Sequence, residues 1–506
     1  MLGKHDPNVE LLDAAAHCRG LVPENSIYAL LADHRSELFP DEMFADLFRS
    51  GRGRPSVPGE VIASAMVLKE LEGLSDREAA DALRLNIAWK VATGTALDDK
   101  GIHYTVFTYW RTRLAASERP RRITEAVKQV IDQSGILKGK TRRALDSTLL
   151  DDAVATQDTV TQLVSAIRKV RRLIPKAAHV EVVAHDYDAS GKPVCAWDDP
   201  EAKQTLVSSL VNDANRLIEA TEGLELEGEQ QDAVGLLALV AGQDVEPAEQ
   251  EGSWRIVRGV APDRVISTVD PEARHMHKSR SQYRDGYKAH LAVEPETGII
   301  TEASLTAANA ADGPAGVELL KDEQPGLTVL ADSAYGSGQV RTDLQQAEHT
   351  PVIKPLPLTM AVPGGFTRDD FKVDHRARTV ICPAGNTVNI NSKGRARFEK
   401  HCRGCPLIDR CTTSKRGRMV NVGEHDEQLV NARKQWKDPE VLAEYRQHRP
   451  MVERSISWLV ADGHRRVRYR GIKRNQFGLS LRVAALNLRR LVNLGLDHNG
   501  SWVLAS

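Results

Sequence analysis

The run Leu327-Thr-Val-Leu-Ala-Asp332 is almost wholly apolar and ends on a carboxylate, and it constrains the fold of the chain around it. A short apolar run of this kind, bounded by turn signals, reads as a strand. Upstream, residues 265–269, 286–294 and 299–307 read as further strands, the last two joined by the turn Pro295-Glu-Thr-Gly298. A helix is expected over 313–321 behind Asp312, a second over 339–348, and a short strand over 351–354. Antiparallel strands followed by strand-helix-strand units outline a mixed α/β sheet. In the parallel part of such a sheet chemistry gathers at strand C-terminal ends, which is where Asp332 falls.

Two more acids invite comparison with it. Asp146 sits in the apolar stretch Leu145-Asp-Ser-Thr-Leu-Leu150, after a basic lead from Lys138 to Arg143. It reads either as an inward carboxylate on a strand or as a strand-end residue before the turn at Asp151-Asp152. An inward carboxylate needs a partner, and a metal is the usual one. Glu453 lies on a helix beside the apolar stripe Val452, Ile456, Leu459 and Val460, with Arg449 and Ser457 on its own stripe. For an isolated helical Glu, a surface role neutralising nearby arginines is the ordinary reading. Three carboxylates brought together, however, can hold two magnesium ions about 4 Å apart for in-line attack at a phosphodiester. Oxygen ligands select Mg2+ or Mn2+ there.

Charge points the same way. The net charge of the 506 residues is −1, so affinity for nucleic acid must come from local clusters. The densest follows Glu453: His464, Arg465, Arg466, Arg468, Tyr469, Arg470, Lys473 and Arg474. Cations with an interleaved aromatic suit a phosphate backbone and its bases. Others are Arg52-Gly-Arg54, 119–122, 138–143, 168–172 and 278–284, set against an acidic stretch over 222–251. Near the N-terminus, Gly73-Leu-Ser-Asp-Arg-Glu78 separates two helical patterns by a turn and a Ser-x-x-Glu capping box. That outline fits a helix-turn-helix and a purely structural αα-hairpin equally well. A helix over 105–114 brings Arg111 and Arg113 beside Tyr109 and Trp110, and Trp110 is expected in the core. No run of about 18 apolar residues and no signal-peptide pattern occurs, so a cytoplasmic, nucleoid-associated protein without a membrane partner is expected. Four of the six cysteines crowd into one segment: Cys382, Cys402, Cys405 and Cys411. One C-x-x-C pair and two outliers predict a structural Zn2+ site, with His401 as a competing ligand.

Taken in order, several pieces of the chain resemble a bacterial insertion-sequence transposase of the DDE superfamily. They are Gly51-Arg-Gly-Arg-Pro55, Gly73 to Glu78, Leu145-Asp-Ser-Thr148, Gly286-Tyr-Lys-Ala-His290, Thr306-Ala-Ala-Asn309 to Asp312, and Ala331-Asp-Ser-Ala-Tyr-Gly336. The Cys-Pro-x-Gly and Cys-x-x-Cys-Pro pieces, Val452-Glu453, Gly463-His-Arg-Arg466, Tyr469-Arg-Gly471 and Asn487-Leu488 complete the set. The resemblance implies an RNase H-like mixed-sheet core with Asp146, Asp332 and Glu453 as its catalytic triad. It also implies a helical N-terminal domain and two insertions, one helical and one cysteine-rich.

The expected organisation is a DNA-binding helical domain over 1–125, core segments over 138–152 and 261–356, and a helical insertion over 153–260 between them. A cysteine-rich insertion follows over 357–437, then the Glu453-bearing helices over 438–492 and a tail over 493–506. The implied activity is metal-dependent cleavage at element ends and strand transfer, with terminal inverted repeats and target DNA as partners and oligomers forming on DNA. The alternatives are a non-catalytic DNA-binding descendant and a nuclease without strand transfer. Related transposases carry Tyr-x-x-Arg-x-x-x-Glu-x6-Lys; here Arg449 keeps its place, Tyr445 stands four rather than three residues before it, and position 460 is Val. Arg465, Arg466 and Lys473 are candidates for the basic partner, and Asp151, Asp152, Asp285 and Asp312 for rival acids, Asp312 reading as a helix N-cap.

Overall fold

The structure, a computed structural model, describes residues 1–4, 12–48, 53–257, 259, 261, 263–277 and 283–504. Gly51-Arg52 and the basic residues 278–282 lie outside the described residues.

The N-terminal region contains helices α1 (Ile27–Leu38), α2 (Gly59–Glu72), α3 (Asp76–Leu85), α4 (Thr105–Ala116) and α5 (Arg122–Ser134). Gly73 ends α2 in the left-handed region at φ 69°, and the Ser75–Glu78 capping box forms in both directions to start α3. Helix α2 is buried along almost its whole length and Trp110 is in the core, so α2 and α3 form a packed hairpin. After β1 (Arg142–Asp151) come α6 (Thr159–Leu173), α7 (Pro200–Thr221) and α8 (Glu229–Gln243), which bury their apolar faces on one another in a core of their own.

The sheet continues with β2 (Tyr283–Val293) and β3 (Ile300–Ala307). Then come α9 (Asp312–Leu319), β4 (Thr328–Ala331), α10 (Gly338–Gln346) and β5 (Thr350–Ile353). β1 is antiparallel to β2, which is antiparallel to β3; on its other side β1 is parallel to β4, and β4 is parallel to β5. A short strand, Arg274–His277, pairs with the start of β2. The order β3-β2-β1-β4-β5 is that of an RNase H-like core.

The strand expected over 265–269 is reduced to one bridge, Val265 with Arg274. Its backbone is satisfied by side-chain amides instead. Gln162 donates to the Val265 carbonyl at 2.9 Å, the Val265 amide donates to Gln243 at 3.0 Å, and the Thr268 amide donates to Gln157 at 2.8 Å.

The cysteine-bearing segment forms small antiparallel sheets around Phe371, Val380, Phe398 and Val420. Last come α11 (Pro439–His448), α12 (Pro450–Val460) and α13 (Ile472–Asn493). α12 and α13 cover one face of the sheet through Val452, Leu459, Leu479, Val483 and Leu486, and α9 and α10 cover the other through Leu319, Val340 and Leu344. α13 also enters the core of the N-terminal helices, where Leu481, Ala484, Ala485, Leu488 and Leu491 meet Ile62, Leu68 and Val127. The chain's two ends therefore share one hydrophobic core.

Candidate active site

Strand parity decides which acids can meet. Ala144 on β1 packs on the α12 and α13 face while Leu145 packs on the α9 and α10 face. Side chains two apart share a face, so Asp146 follows Ala144 and Ser147 follows Leu145. On β4, Leu330 lies on the α12 face and Ala331 on the opposite one, which puts Asp332 on the face of Asp146. Ala144 pairs with Leu330 across the parallel ladder. The ladder ends there: Asp332 follows the last residue of β4 and caps a short 3-10 turn, close enough for its charge to act on Asp146.

Glu453 reaches this pair through Arg449. Pro450 lacks an amide hydrogen and is confined to a first-turn position, so the chain changes from α11 to α12 at Arg449. The Arg449 guanidinium meets Asp146 Oδ2 at 2.9 Å and Glu453 Oε1, one helical turn on, at 3.4 Å. The two ends differ in setting: the side chains of Arg449 and Asp146 are 6% and 17% exposed, that of Glu453 67%. Burial pushes the Asp146 carboxyl upward; Arg449 and the Ser147 amide pull it back, and the charge of Asp332 adds to the rise, which is the net result. Burial likewise raises the Tyr445 phenol, on which the charges of Asp332, Asp146 and Glu453 all fall. The charges of the three acids therefore all act on the Tyr445 phenol. Their oxygens do not close into a common ligand sphere as three freely converging carboxylates would; among the described residues the three ligand atoms lying within 4.8 Å of one another belong to other side chains. Arg449 is what links Asp146 to Glu453.

Each rival acid has a different neighbour. Asp312 is the first residue of α9 rather than its N-cap, and it lies on the opposite face of the sheet. There it accepts from Ser147 Oγ at 2.7 Å and pairs with buried Lys288 at 3.2 Å. Lys288 and His290, polar residues alternating inside an apolar strand, are the signal in the sequence that this buried cluster exists. Asp151 pairs with Arg284, and Asp285 with His275. Asp152 is buried beside Asp270, and burial followed by that neighbouring charge pushes it up to about 6.

The basic stretch divides by position. Arg465 donates to Thr148 and the Leu149 carbonyl, and Arg466 to the carbonyls of Asp152 and Ala153, which clamp the loop after α12 onto the end of β1. His464 contacts the Glu70 carbonyl at 2.8 Å, and burial, then Arg482, pushes it down to about 4, so its imidazole is neutral at neutral pH. Arg468 reaches the Gly73 carbonyl. Tyr469 packs near Arg111, which is paired with Asp76. Arg113 reaches the Leu47 carbonyl and lies over Phe48 and Tyr109. Arg470, Lys473 and Arg474 are exposed. The same internal use appears at Arg122 with Asp46 and at Arg143 with Glu323. Among the basic-partner candidates, then, Arg465 and Arg466 hold the end of β1, Lys473 is exposed on α13, and Arg449 touches the acids.

The four clustered cysteines line one pocket with Phe398, His401 and Arg418, and all four are free thiols. Burial pushes the Cys411 thiol up, and the other three add their charges.

A sheet of this order, with one acid on its central strand, a second just past the neighbouring strand and a third on the covering helix, defines the class of RNase H-like folds. Residues 255–488 match the family described as Transposase DDE domain, and residues 17–113 match Transposase domain (DUF772). The chain belongs to the insertion-sequence transposases of the DDE superfamily. That family acts in transposition by DNA cleavage and strand transfer, generally with a divalent metal, so DNA is the partner it implies. The first match includes Asp332 and Glu453; α5, β1 with Asp146, α6, α7 and α8 fall between the two matches. No curated protein and no solved structure matches the chain. Among the described residues, no helix is long and apolar enough to cross a membrane.

Proposed function

We propose that the protein cuts DNA at the ends of an insertion sequence and joins the freed 3′-hydroxyl to target DNA, with Asp146, Asp332 and Glu453 as the acids of the reaction. The observation that carries this reading is the Arg449 bridge from Asp146 to Glu453, with the charge of Asp332 acting on Asp146 from just past the end of β4. The chemistry of the donor set suits a divalent cation, which would draw the acids together: the charge of Asp332 opposes ionisation of Asp146, and hard carboxylate oxygens suit Mg2+ or Mn2+. A cation bound there supplies an activated water or 3′-hydroxyl and steadies the leaving oxygen. The chain's own part is to keep Asp146 ionised through Arg449 and the Ser147 amide, and to present Glu453 at the solvent-exposed rim where DNA arrives.

DNA contact is assigned to the exposed Arg470, Lys473 and Arg474, and to a groove on the helical insertion through Lys169 and Arg172, whose neighbours Arg168 and Arg171 are held by backbone carbonyls. The region over 1–125 holds element ends, and assembly on paired ends forms the working oligomer. A structural Zn2+ is assigned to Cys382, Cys402, Cys405 and Cys411, which line one pocket and whose thiols would draw together to share the ion. The test is a joining assay. Oligonucleotides carrying the element's terminal repeat with a free 3′-hydroxyl are incubated with supercoiled target and Mg2+. Joined product is expected; nicking without joining makes the protein a nuclease, and binding with neither makes it a non-catalytic descendant.

A further inference from the structure

Away from the three acids, two histidines and a glutamate from opposite ends of the chain come together. His34 and Glu37 lie three residues apart on α1, whose helical geometry breaks at His34. His498 lies on a hairpin formed by Leu496–His498 and Trp502–Leu504. One ligand atom from each lies within 4.8 Å of the other two. None of the motifs behind the transposase reading includes these residues, and none of the three acids lies on these elements.

Two further observations set the cluster apart from ordinary packing. Nδ1 of His34 is buried and has no hydrogen-bond partner among the described residues, a state that is costly for a polar atom. In addition, α1 departs from helical geometry at His34 itself, with φ −136° and ψ 19°, although neither Pro nor Gly is nearby to kink it. Trp502 fixes the hairpin: it is 5% exposed in the core shared by the chain's ends, with its ring centroid 4.6 Å from that of His498 and 5.6 Å from that of His34. The two imidazoles lie 5.0 Å apart at a 55° tilt. A purely aromatic trio would account for the rings; it would account neither for the carboxylate beside them nor for the unpartnered nitrogen.

We propose that His34, Glu37 and His498 bind one transition-metal cation of the Zn2+ class. Two imidazole nitrogens and one carboxylate oxygen are a borderline donor set that favours Zn2+ over Mg2+, whose preference is for oxygen and water. Bond lengths of about 2.0–2.2 Å in a tetrahedral site separate ligand atoms by roughly 3.3–3.5 Å. The side chains therefore close by at most about 1.5 Å, which rotation of the exposed Glu37 and adjustment of the rings supply. Three protein ligands leave the fourth position to water. The bound ion pins the C-terminal hairpin to α1 and so clamps the two chain ends together.

The full-length protein is dialysed against Zn2+ and its bound metal counted, in wild type and in a Cys402→Ser/Cys405→Ser background that removes thiol binding. About one equivalent is expected to remain in the cysteine background, to be lost on adding His498→Gln, and to bind at least about tenfold more weakly with Glu37→Gln. Glu37 is exposed, so its substitution leaves the fold intact. Should the cysteine background fail to fold, the difference in stoichiometry or affinity between wild type and Glu37→Gln decides alone. Zn2+ is also expected to slow proteolysis of the hairpin about tenfold in wild type and not in His498→Gln. No Zn2+ in a folded cysteine background, or unchanged binding in the Glu37→Gln and His498→Gln proteins, overturns the site.

Discussion

Replacing Arg449 by Ala removes one cation from between two acids in different surroundings, and the unequal consequences can be worked out. Asp146 and Arg449 are both largely buried, and deleting one partner of a buried pair leaves an uncompensated charge at a cost of about 3–5 kcal/mol. Asp146 keeps some exposure, so the lower end of that range applies. Glu453 is two-thirds exposed, and its share of the bridge is worth about 0–1 kcal/mol. Double-mutant cycles by urea denaturation should therefore give a coupling of about 2–3 kcal/mol between Arg449→Ala and Asp146→Asn, and less than about 1 kcal/mol between Arg449→Ala and Glu453→Gln. Activity should move with the charge. Without the guanidinium the Asp146 carboxyl rises further, so a larger fraction is protonated at any given pH and the acid limb of the cleavage profile shifts upward. Arg449→Lys should restore part of the lost stability. Strict additivity for the Arg449 and Asp146 pair, or equal coupling to both acids, would refute the bridge described here.

Other consequences can be measured separately. Gly73→Ala places a Cβ 1.9 Å from the Asp462 carbonyl in a left-handed turn, and should cost more than about 1 kcal/mol while loosening the loop after α12, read as faster hydrogen exchange at 461–468. Asp152 is held near 6 when folded against an ordinary 3.8; the folded state binds the extra proton, so this contribution is full below about 3.8 and is lost as pH rises towards 6. The shift corresponds to on the order of 3 kcal/mol, and Asp152→Asn should flatten that stretch of a stability–pH curve. Cys402→Ser should reduce bound Zn2+ by about one equivalent without removing Mg2+-dependent nicking; unchanged zinc content would remove the thiol site.

The sheet was legible because its strands carry their own signals: an apolar run ending in Asp332, a short apolar stretch centred on Asp146 in β1, and a Gly298 turn between β2 and β3. Residues 265–269 have the same local appearance and form no strand, because three glutamines distant in sequence take up the backbone groups that a neighbouring strand would have used. The basic run after Glu453 misled for a related reason. Composition tells how much positive charge a stretch carries, and does not tell whether a guanidinium ends on phosphate or on carbonyls of a segment more than 300 residues away, as Arg465 and Arg466 do. Nor does it show that α13 belongs to the core of α2 and α5, a fact that makes His464 and Arg482 part of a joint between chain ends. The candidate acids were easier: once the phase of β1 is known, parity alone puts Asp146 with Asp332 and sends Ser147 to Asp312.

That separation of faces makes cleavage kinetics the decisive assay. Terminal-repeat DNA is incubated with Mg2+ and wild type, Asp146→Asn, Asp332→Asn, Glu453→Gln or Asp312→Asn, each shown to be folded and to bind the DNA. Cleavage should fall at least about 100-fold in each of the first three variants and remain within about tenfold of wild type in Asp312→Asn. Wild-type cleavage by any of the first three, or a loss in Asp312→Asn as deep as theirs, would place the chemistry elsewhere on the sheet.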